Sequence, residues 1–260
     1  MPELKVAIAL RSLREPFKKA LHTAARLGAT GVEIDARDEL KPAEFSATAR
    51  RQLRKLLEDL GLRVSAVSFL TRRGYDSLDD LERRVAATKA ALDFAYSLGT
   101  SVVVNHVGRV PEDPASSGWQ TLTEVLRDLG EYSQKAGAWL VAKTGSESAD
   151  DLQRLFEALP EGSLGIDLDP GNLVVNGYSP EAVIRNLGQH IMHVHARDGV
   201  RDKAQGRGME VPLGRGSADF PQLLGLLEER EYRGWFTLLR ERSDNPVNEL
   251  AAGVQFLKNL

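Results

Sequence analysis

The chain has 260 residues, 42% hydrophobic and 27% charged, a balance that suits a globular protein with a sizeable core and excludes a disordered or fibrous one. A formal net charge of −3 and a pI near 6.0 give no sign of a nucleic-acid partner or an acidic membrane surface. There is no cysteine, so disulfides and thiolate metal sites are excluded, which fits a reducing compartment.

The first residues read MPELKVAIALRSLREP. Their apolar run, Val6 to Leu10, is flanked by Lys5 and Arg11 and is too short and too charged for a signal peptide. No stretch reaches the roughly 18 apolar residues that a membrane span requires. A soluble, cytoplasmic protein is expected.

Short β-like runs then alternate with amphipathic segments. KVAIAL (5–10) precedes a helical spacing of Phe17, Ala20, Leu21 and Ala24 over 15–27. TGVEID (30–35) precedes a helix over 42–60 with Leu53, Leu56, Leu57 and Leu60, stopped by Gly61. RVSAVSF (63–69) precedes a helix over 78–98, whose stripe of Leu78, Leu81, Val85, Leu92 and Ala95 is interrupted by Thr88 and stopped by Gly99. SVVVNHV (101–107), AWLVAK (138–143), LGIDLD (164–169), IMHVHA (191–196) and WFTLLR (235–240) complete the strands. Helical patterns over 119–136, 149–158, 180–188, 219–230 and 246–258 alternate with them, with Ser148 as an N-cap. The longest connection, about 197–218, is glycine-rich and reads as a loop.

Eight such units predict a single (β/α)8 TIM barrel over 1–260; a doubly wound sheet is the alternative. In a barrel the chemistry lies at the carboxyl ends of the strands. The polar residues placed there are Glu33 and Asp35, Asn105 and His106, Lys143, Asp167 and Asp169, His193, His195, Arg197 and Asp198, and Arg240, Glu241 and Arg242. Residues two apart on a strand share a face, so His193 pairs with His195 and Asp167 with Asp169. Two imidazoles and a carboxylate facing inward are a start for a metal site, although His193 reads rather as a hydrogen-bonded core residue, with His195, nearer the rim, the functional one. The stretch QGRGMEVPLGRGSADF (205–220) holds two Gly-Arg-Gly triplets. Arg207 or Arg215 there could clamp an anion, or the segment could be an ordinary surface loop.

HVHARD (193–198), LDPGNL (168–173), VPLGRGSADF (211–220) and RGWFTLLRERSDNP (233–246) together resemble the xylose-isomerase-like TIM barrels. This is the sugar phosphate isomerase/epimerase family. The resemblance implies a divalent metal (Mn, Mg, Co or Zn) held by a glutamate ending strand 5, an aspartate ending strand 6, a histidine on strand 7 and a glutamate on strand 8. In the epimerases it further implies that the two glutamates move the proton. Asp169 and His195 fall on the aspartate and histidine positions. Lys143 and Leu239 fall on the two glutamate positions. A slip of two residues would offer Glu241 instead, but the Gly-Trp-x-Thr-x-x-Arg-Glu frame argues against it.

An ammonium repels a divalent cation, so no resident metal or other cofactor is expected, and Lys143 is expected to neutralise Asp169 in its place. The leading expectation is a small-molecule binder for a sugar or sugar phosphate, with lost or altered metal-dependent activity. Lys143, Asp169 and His195 would form its centre, and Glu33, His106, Arg197, Arg207 and Glu241 would contact the ligand. Two alternatives are a metal-independent isomerase or epimerase using Lys143 and His195, and an aldolase-type enzyme forming a Schiff base on Lys143. A nuclease built on a histidine-rich three-metal cluster fits poorly with five histidines in all. Neither a nucleic-acid nor a membrane partner is expected, and a homo-oligomer is compatible with the sequence.

Overall fold

The computed structural model describes residues 3–202 and 206–260. Met1 and Pro2 of the N-terminal run, and Gln205 at the head of the glycine-rich stretch, lie outside the described residues.

In chain order the elements are β1 (Lys5–Ala9), α1 (Phe17–Arg26), β2 (Gly31–Asp35), α2 (Ala47–Asp59), β3 (Arg63–Ser68), α3 (Leu81–Leu98) and β4 (Val102–Asn105). They continue with α4 (Ser117–Ala136), β5 (Trp139–Lys143), α5 (Ala149–Glu157), β6 (Gly165–Leu168), α6 (Pro170–Asn176), α7 (Pro180–Leu187) and β7 (Ile191–Ala196). A hairpin, β8 (Asp198–Asp202) and β9 (Arg207–Val211), precedes α8 (Phe220–Glu229), β10 (Trp235–Leu238) and α9 (Pro246–Lys258).

Eight parallel strands close in the order β1-β10-β7-β6-β5-β4-β3-β2. The expected (β/α)8 barrel is therefore the fold. Its strands are short continuous apolar runs because each is covered by helices outside and by barrel contents inside. Ile8, Val32, Ile34, Val67, Ile166, Leu168, Val194 and Phe236 are almost fully buried within the main apolar cluster, which helix residues such as Leu21, Leu92, Val183, Leu223 and Val254 share. The closed order sets β5 diametrically opposite β1 and β3 opposite β7.

The barrel interior is unusually polar. Ser65 Oγ lies 3.2 Å from Thr237 Oγ1, and Thr237 Oγ1 lies 2.8 Å from His193 Nε2. His193 continues upward to Asp167, giving a hydrogen-bonded column that leads from mid-barrel to the carboxyl rim. Each of these groups is fully or almost fully buried, and the column is what satisfies them.

The structure departs from the sequence reading at some points and explains it at others. The helix expected from residue 78 begins at Leu81; Leu78 lies outside it and is 74% exposed. Thr88, the polar break in that stripe, is buried because its hydroxyl lies 2.6 Å from Tyr75 Oη. The connection expected over 197–218 is not structureless, since β8 and β9 pair antiparallel from Asp198↔Val211 to Asp202↔Arg207.

The glycines of that segment also surround an anion that belongs to the chain itself. The Asp198 carboxylate accepts hydrogen bonds from the backbone N–H groups of Gly199 (2.8 Å), Gly214 (3.1 Å), Gly216 (2.8 Å) and Ala218 (3.1 Å). A Cβ at Gly216 would lie 2.1 Å from Asp198 Oδ1, so the close wrap requires glycine there. Four charge-assisted bonds to one 1%-exposed carboxylate hold the loop after β9 in place. Asp198→Ala is expected to cost about 3 kcal/mol, read as a lower urea midpoint. The same variant should be cut faster by trypsin after Arg215; unchanged midpoint and cleavage would show that the cage is not what orders the loop.

Candidate functional site at the barrel mouth

Lys143 is the last residue of β5, and Asp169 follows β6 directly. Adjacent parallel strands bring these positions together at the carboxyl rim. Asp169 is also the N-cap of α6: its Oδ1 accepts from Asn172 N at 2.8 Å. Its backbone N–H donates to Thr144 Oγ1 (2.9 Å), and Asn172 Nδ2 donates to Thr144 O (2.9 Å). Gly145 packs against Asn172, whose Nδ2 would lie 1.8 Å from a Cβ there; its φ of +143° is a second reason for glycine. These bonds lock the ends of β5 and β6 to each other and leave Asp169 Oδ2 free of backbone partners.

Asp169 Oδ2 faces two cations, Lys143 Nζ at 3.2 Å and an Arg197 nitrogen at 3.4 Å. The Lys143 and Asp169 side chains are 2% and 0% exposed. Beyond this ion pair, Lys143 Nζ has no hydrogen-bond partner among the described residues. An ammonium carries three donors, so a buried one with unmatched donors is poised to receive an oxygen.

Arg197 carries the charge pattern outward. It meets Glu210 at 3.2 Å and Glu241 at 3.0 Å, while Arg240 bridges Glu210 (3.1 Å) and Glu249 (2.6 Å). Burial opposes the Arg197 charge, but Asp169, Glu241 and Glu210 outweigh it and raise its pKa. Burial likewise favours neutral Glu241, but Arg197 and Lys143 hold it below the usual carboxylate range. Glu210 sits on β9 and also accepts from the backbone N–H groups of Glu241 and Arg242, tying the hairpin to the segment after β10.

A second cluster lies deeper. His195 donates from Nδ1 to Asp167 Oδ2 (2.5 Å) and from Nε2 to Glu33 Oε2 (2.7 Å). Asp167 Oδ1 meets His193 Nδ1 at 2.9 Å. Burial penalises a charged His195, yet Asp167 and Glu33 outweigh it and lift its pKa to about 9. Burial would raise Glu33, and the His195 charge instead brings it down to about 2. The same balance holds Asp167 well below the ordinary aspartate range. His195 is therefore an imidazolium between two carboxylates at neutral pH.

Glu33, His193 and His195 place one ligand atom each within 4.8 Å of one another, a spacing compatible with a metal ion. The hydrogen bonds argue otherwise. Both nitrogens of each imidazole already have partners, which an ion at this point would have to displace. The other set, implied by the resemblance, keeps Asp169 and His195 but has Lys143 and Leu239 where two carboxylates would stand, and Leu239 is 1% exposed. That second set is therefore two carboxylates short of the ligands a divalent ion would use there.

Of the residues singled out in the sequence, Lys143, Asp169, His195, Glu33, Arg197 and Glu241 are brought to one mouth. His106 follows β4 at the same rim, where burial and the Lys143 charge lower its pKa and favour the neutral imidazole. Arg207 is placed apart, exposed at the start of β9 on the outer strand of the hairpin. The sequence reading passed over Glu210, which had no signal because its segment read as a loop. It also passed over Arg11, at the carboxyl end of β1, where the rim rule that selects Glu33 applies equally. Arg11 lies 3.7 Å from Asp35, and its Nε and one terminal nitrogen are buried without partners. Glu33 Oε1 and Ser68 Oγ are also buried and unpartnered. Orphaned polar atoms thus come from β2, from the last residues of β3 and β5 and from the segment after β1.

The model for xylose isomerase-like TIM barrels matches residues 21–260. An inosose dehydratase of Clostridium botulinum (strain Alaska E43 / Type E3) is 25% identical over 283 aligned residues, covering 93% of this chain and 89% of that protein. The crystal structure of a xylose isomerase domain protein from Planctomyces limnophilus superposes with a TM-score of 0.86 at 24% identity, covering 99% of this chain and 97% of the other. That of a xylose isomerase-like TIM barrel protein from Mycobacterium smegmatis in complex with magnesium gives 0.79 at 19%, covering 99% and 96%. With the barrel closed, the site at its carboxyl rim and the family model spanning nearly the whole sequence, the chain belongs to the xylose isomerase-like TIM barrel family.

Proposed function

We propose that this protein binds a polyhydroxylated, carbonyl-bearing small molecule of the sugar or inosose kind at the barrel mouth, and does so without a divalent metal. The observation that carries this reading is the buried Lys143 ammonium, 3.2 Å from Asp169 and otherwise without a partner. Its open donors supply the positive charge that a metal would otherwise present to a ligand oxygen. Leu239 fills with hydrocarbon the place where the family resemblance puts a second carboxylate, so the exchange is matched on both sides. The inosose dehydratase relative and the unpartnered Glu33, Ser68 and Arg11 atoms support a ligand with several oxygens.

A second reading, catalytic rather than binding alone, is favoured by His106. A neutral imidazole beside a fixed ammonium can take a proton from the carbon next to a carbonyl while Lys143 stabilises the oxyanion that forms. Incubation with an inosose in D2O distinguishes the two: deuterium at that carbon indicates enolisation, and its absence with retained binding indicates a binder.

The purified protein is expected to hold no stoichiometric Mn²⁺, Mg²⁺, Co²⁺ or Zn²⁺ and to show no change in Tm when they are added. A real site at a hundred times its Kd would add about 2.7 kcal/mol, a Tm rise of roughly 5–10 °C. Lys143→Glu alone should still bind metal weakly, because Leu239 remains; Lys143→Glu with Leu239→Glu should bind it strongly. Metal binding by the wild type, or strong binding by the single variant, would overturn the reading.

His195 yields a pH prediction. Its folded pKa of about 9 lies above the 6.5 of an unperturbed histidine, so its contribution is complete below about pH 6.5 and disappears as pH rises through about 9. The stability gap between wild type and His195→Gln, measured by urea unfolding, should shrink by about 3 kcal/mol between pH 6 and pH 10. A gap that does not change with pH would mean that His195 is not charged in the fold.

A further inference from the structure

A cavity of about 440 Å³ opens between the segments following β2 and β3 and the first turn of α3. It does not include Lys143 or the histidines. Five arginines line it, Arg37, Arg72, Arg73, Arg83 and Arg84, with Asp80 the one acidic residue among its walls. Arg73 is paired with Asp79 at 2.5 Å. The other four make no ion pair among the described residues, although the chain as a whole carries a net charge of −3. Four guanidinium groups gathered without carboxylate partners repel one another.

Two of the four are held rigidly. Arg84 donates to the carbonyls of Gly74, Ser77 and Asp79, which fixes its plane while leaving its charge uncompensated, and its buried Nε has no partner. Arg37 donates to Leu70 O at 2.8 Å and so bridges the segments after β2 and β3. Arg72 and Arg83 are exposed at the opening. Arg37, Arg72 and Arg83 keep guanidinium donors free around one cavity, with the fixed Arg84 charge beside them, and such a set suits a compact anion with several oxygens. The cavity lies beside the mouth: Thr71, one of its walls, donates to His106 O at 2.6 Å.

We propose that this pocket is an anion site that takes the phosphoryl group of a phosphate monoester. The phosphate arrives either on the molecule held at the mouth or on a separate phosphorylated compound.

The test is calorimetric titration of the full chain with inorganic phosphate, D-fructose 6-phosphate and D-fructose, at low and high salt. The wild type should bind inorganic phosphate with an affinity that falls as salt rises. Arg72→Glu with Arg83→Glu should weaken phosphate and fructose 6-phosphate by at least about tenfold. This variant is expected to fold, since both side chains are exposed and an acidic residue in the first turn of α3 suits the helix dipole. Fructose 6-phosphate binding more than about tenfold tighter than both inorganic phosphate and fructose would support the site and place both groups on one molecule. Equal binding of fructose 6-phosphate and inorganic phosphate, both lost in the variant, would also support the site and assign the phosphate to a separate compound. No heat from phosphate in the wild type, or a variant that binds it as tightly, would overturn the proposal. Loss of the metal-free reading of Lys143 would leave these titrations unaffected, so the two can fail independently.

Discussion

The Lys143–Asp169 ion pair is the interaction around which the mouth is arranged. A buried carboxylate needs a cation and a buried ammonium needs an anion, and either one alone would be strongly destabilising. Asp169 is held by its N-cap bond to α6 and by Thr144, so only one of its oxygens faces inward. That oxygen sets where Lys143 and Arg197 must lie. From Arg197 the same requirement passes to Glu210 and Glu241, and from Glu210 to Arg240 and Glu249. The result is a chain of alternating charges along one wall, buried at Asp169 and Glu210 and reaching solvent at Glu241 and Glu249.

Beneath it, His195 solves the same problem with different chemistry. Two buried carboxylates, Asp167 and Glu33, would repel each other and favour protonation if they shared the barrel alone. The imidazolium between them keeps both ionised and anchors them to the polar column that descends through His193 and Thr237. The upper pair and the lower cluster therefore do not compete for one cation, which leaves donors at Lys143, Arg11 and Ser68 and an acceptor at Glu33 without partners among the described residues.

The barrel was legible because its strands are continuous apolar runs, buried on both sides, and because serine and glycine mark most helix ends. The hairpin was not. DGVRD and RGMEV are half exposed, interrupted by glycine and arginine, and carry no clear period of two. α6 was missed because seven residues beginning Pro-Gly give no helical stripe. In the site, Lys143 and Asp169 could be placed from strand ends alone. Which aspartate of β6 engages the histidines could not, because it depends on a register shift between Ile166 and Asp167 that sets Asp167 opposite His193. Glu210 was out of reach for the same reason as its hairpin, since a side chain cannot be placed at a rim before its backbone is known to approach it.

The strand order of the closed barrel gives the mouth a direction. β7, the hairpin and β10 form a flank whose cations are already matched by Glu210, Glu241 and Glu249. β3 stands diametrically across from β7, and the unmatched arginines gather beyond its end. One side of the opening is electrically spent and the other is not. On the binding proposed above, a guest with a charged end and a neutral end would meet two unlike banks and have one preferred way round, set by the circular order of eight strands.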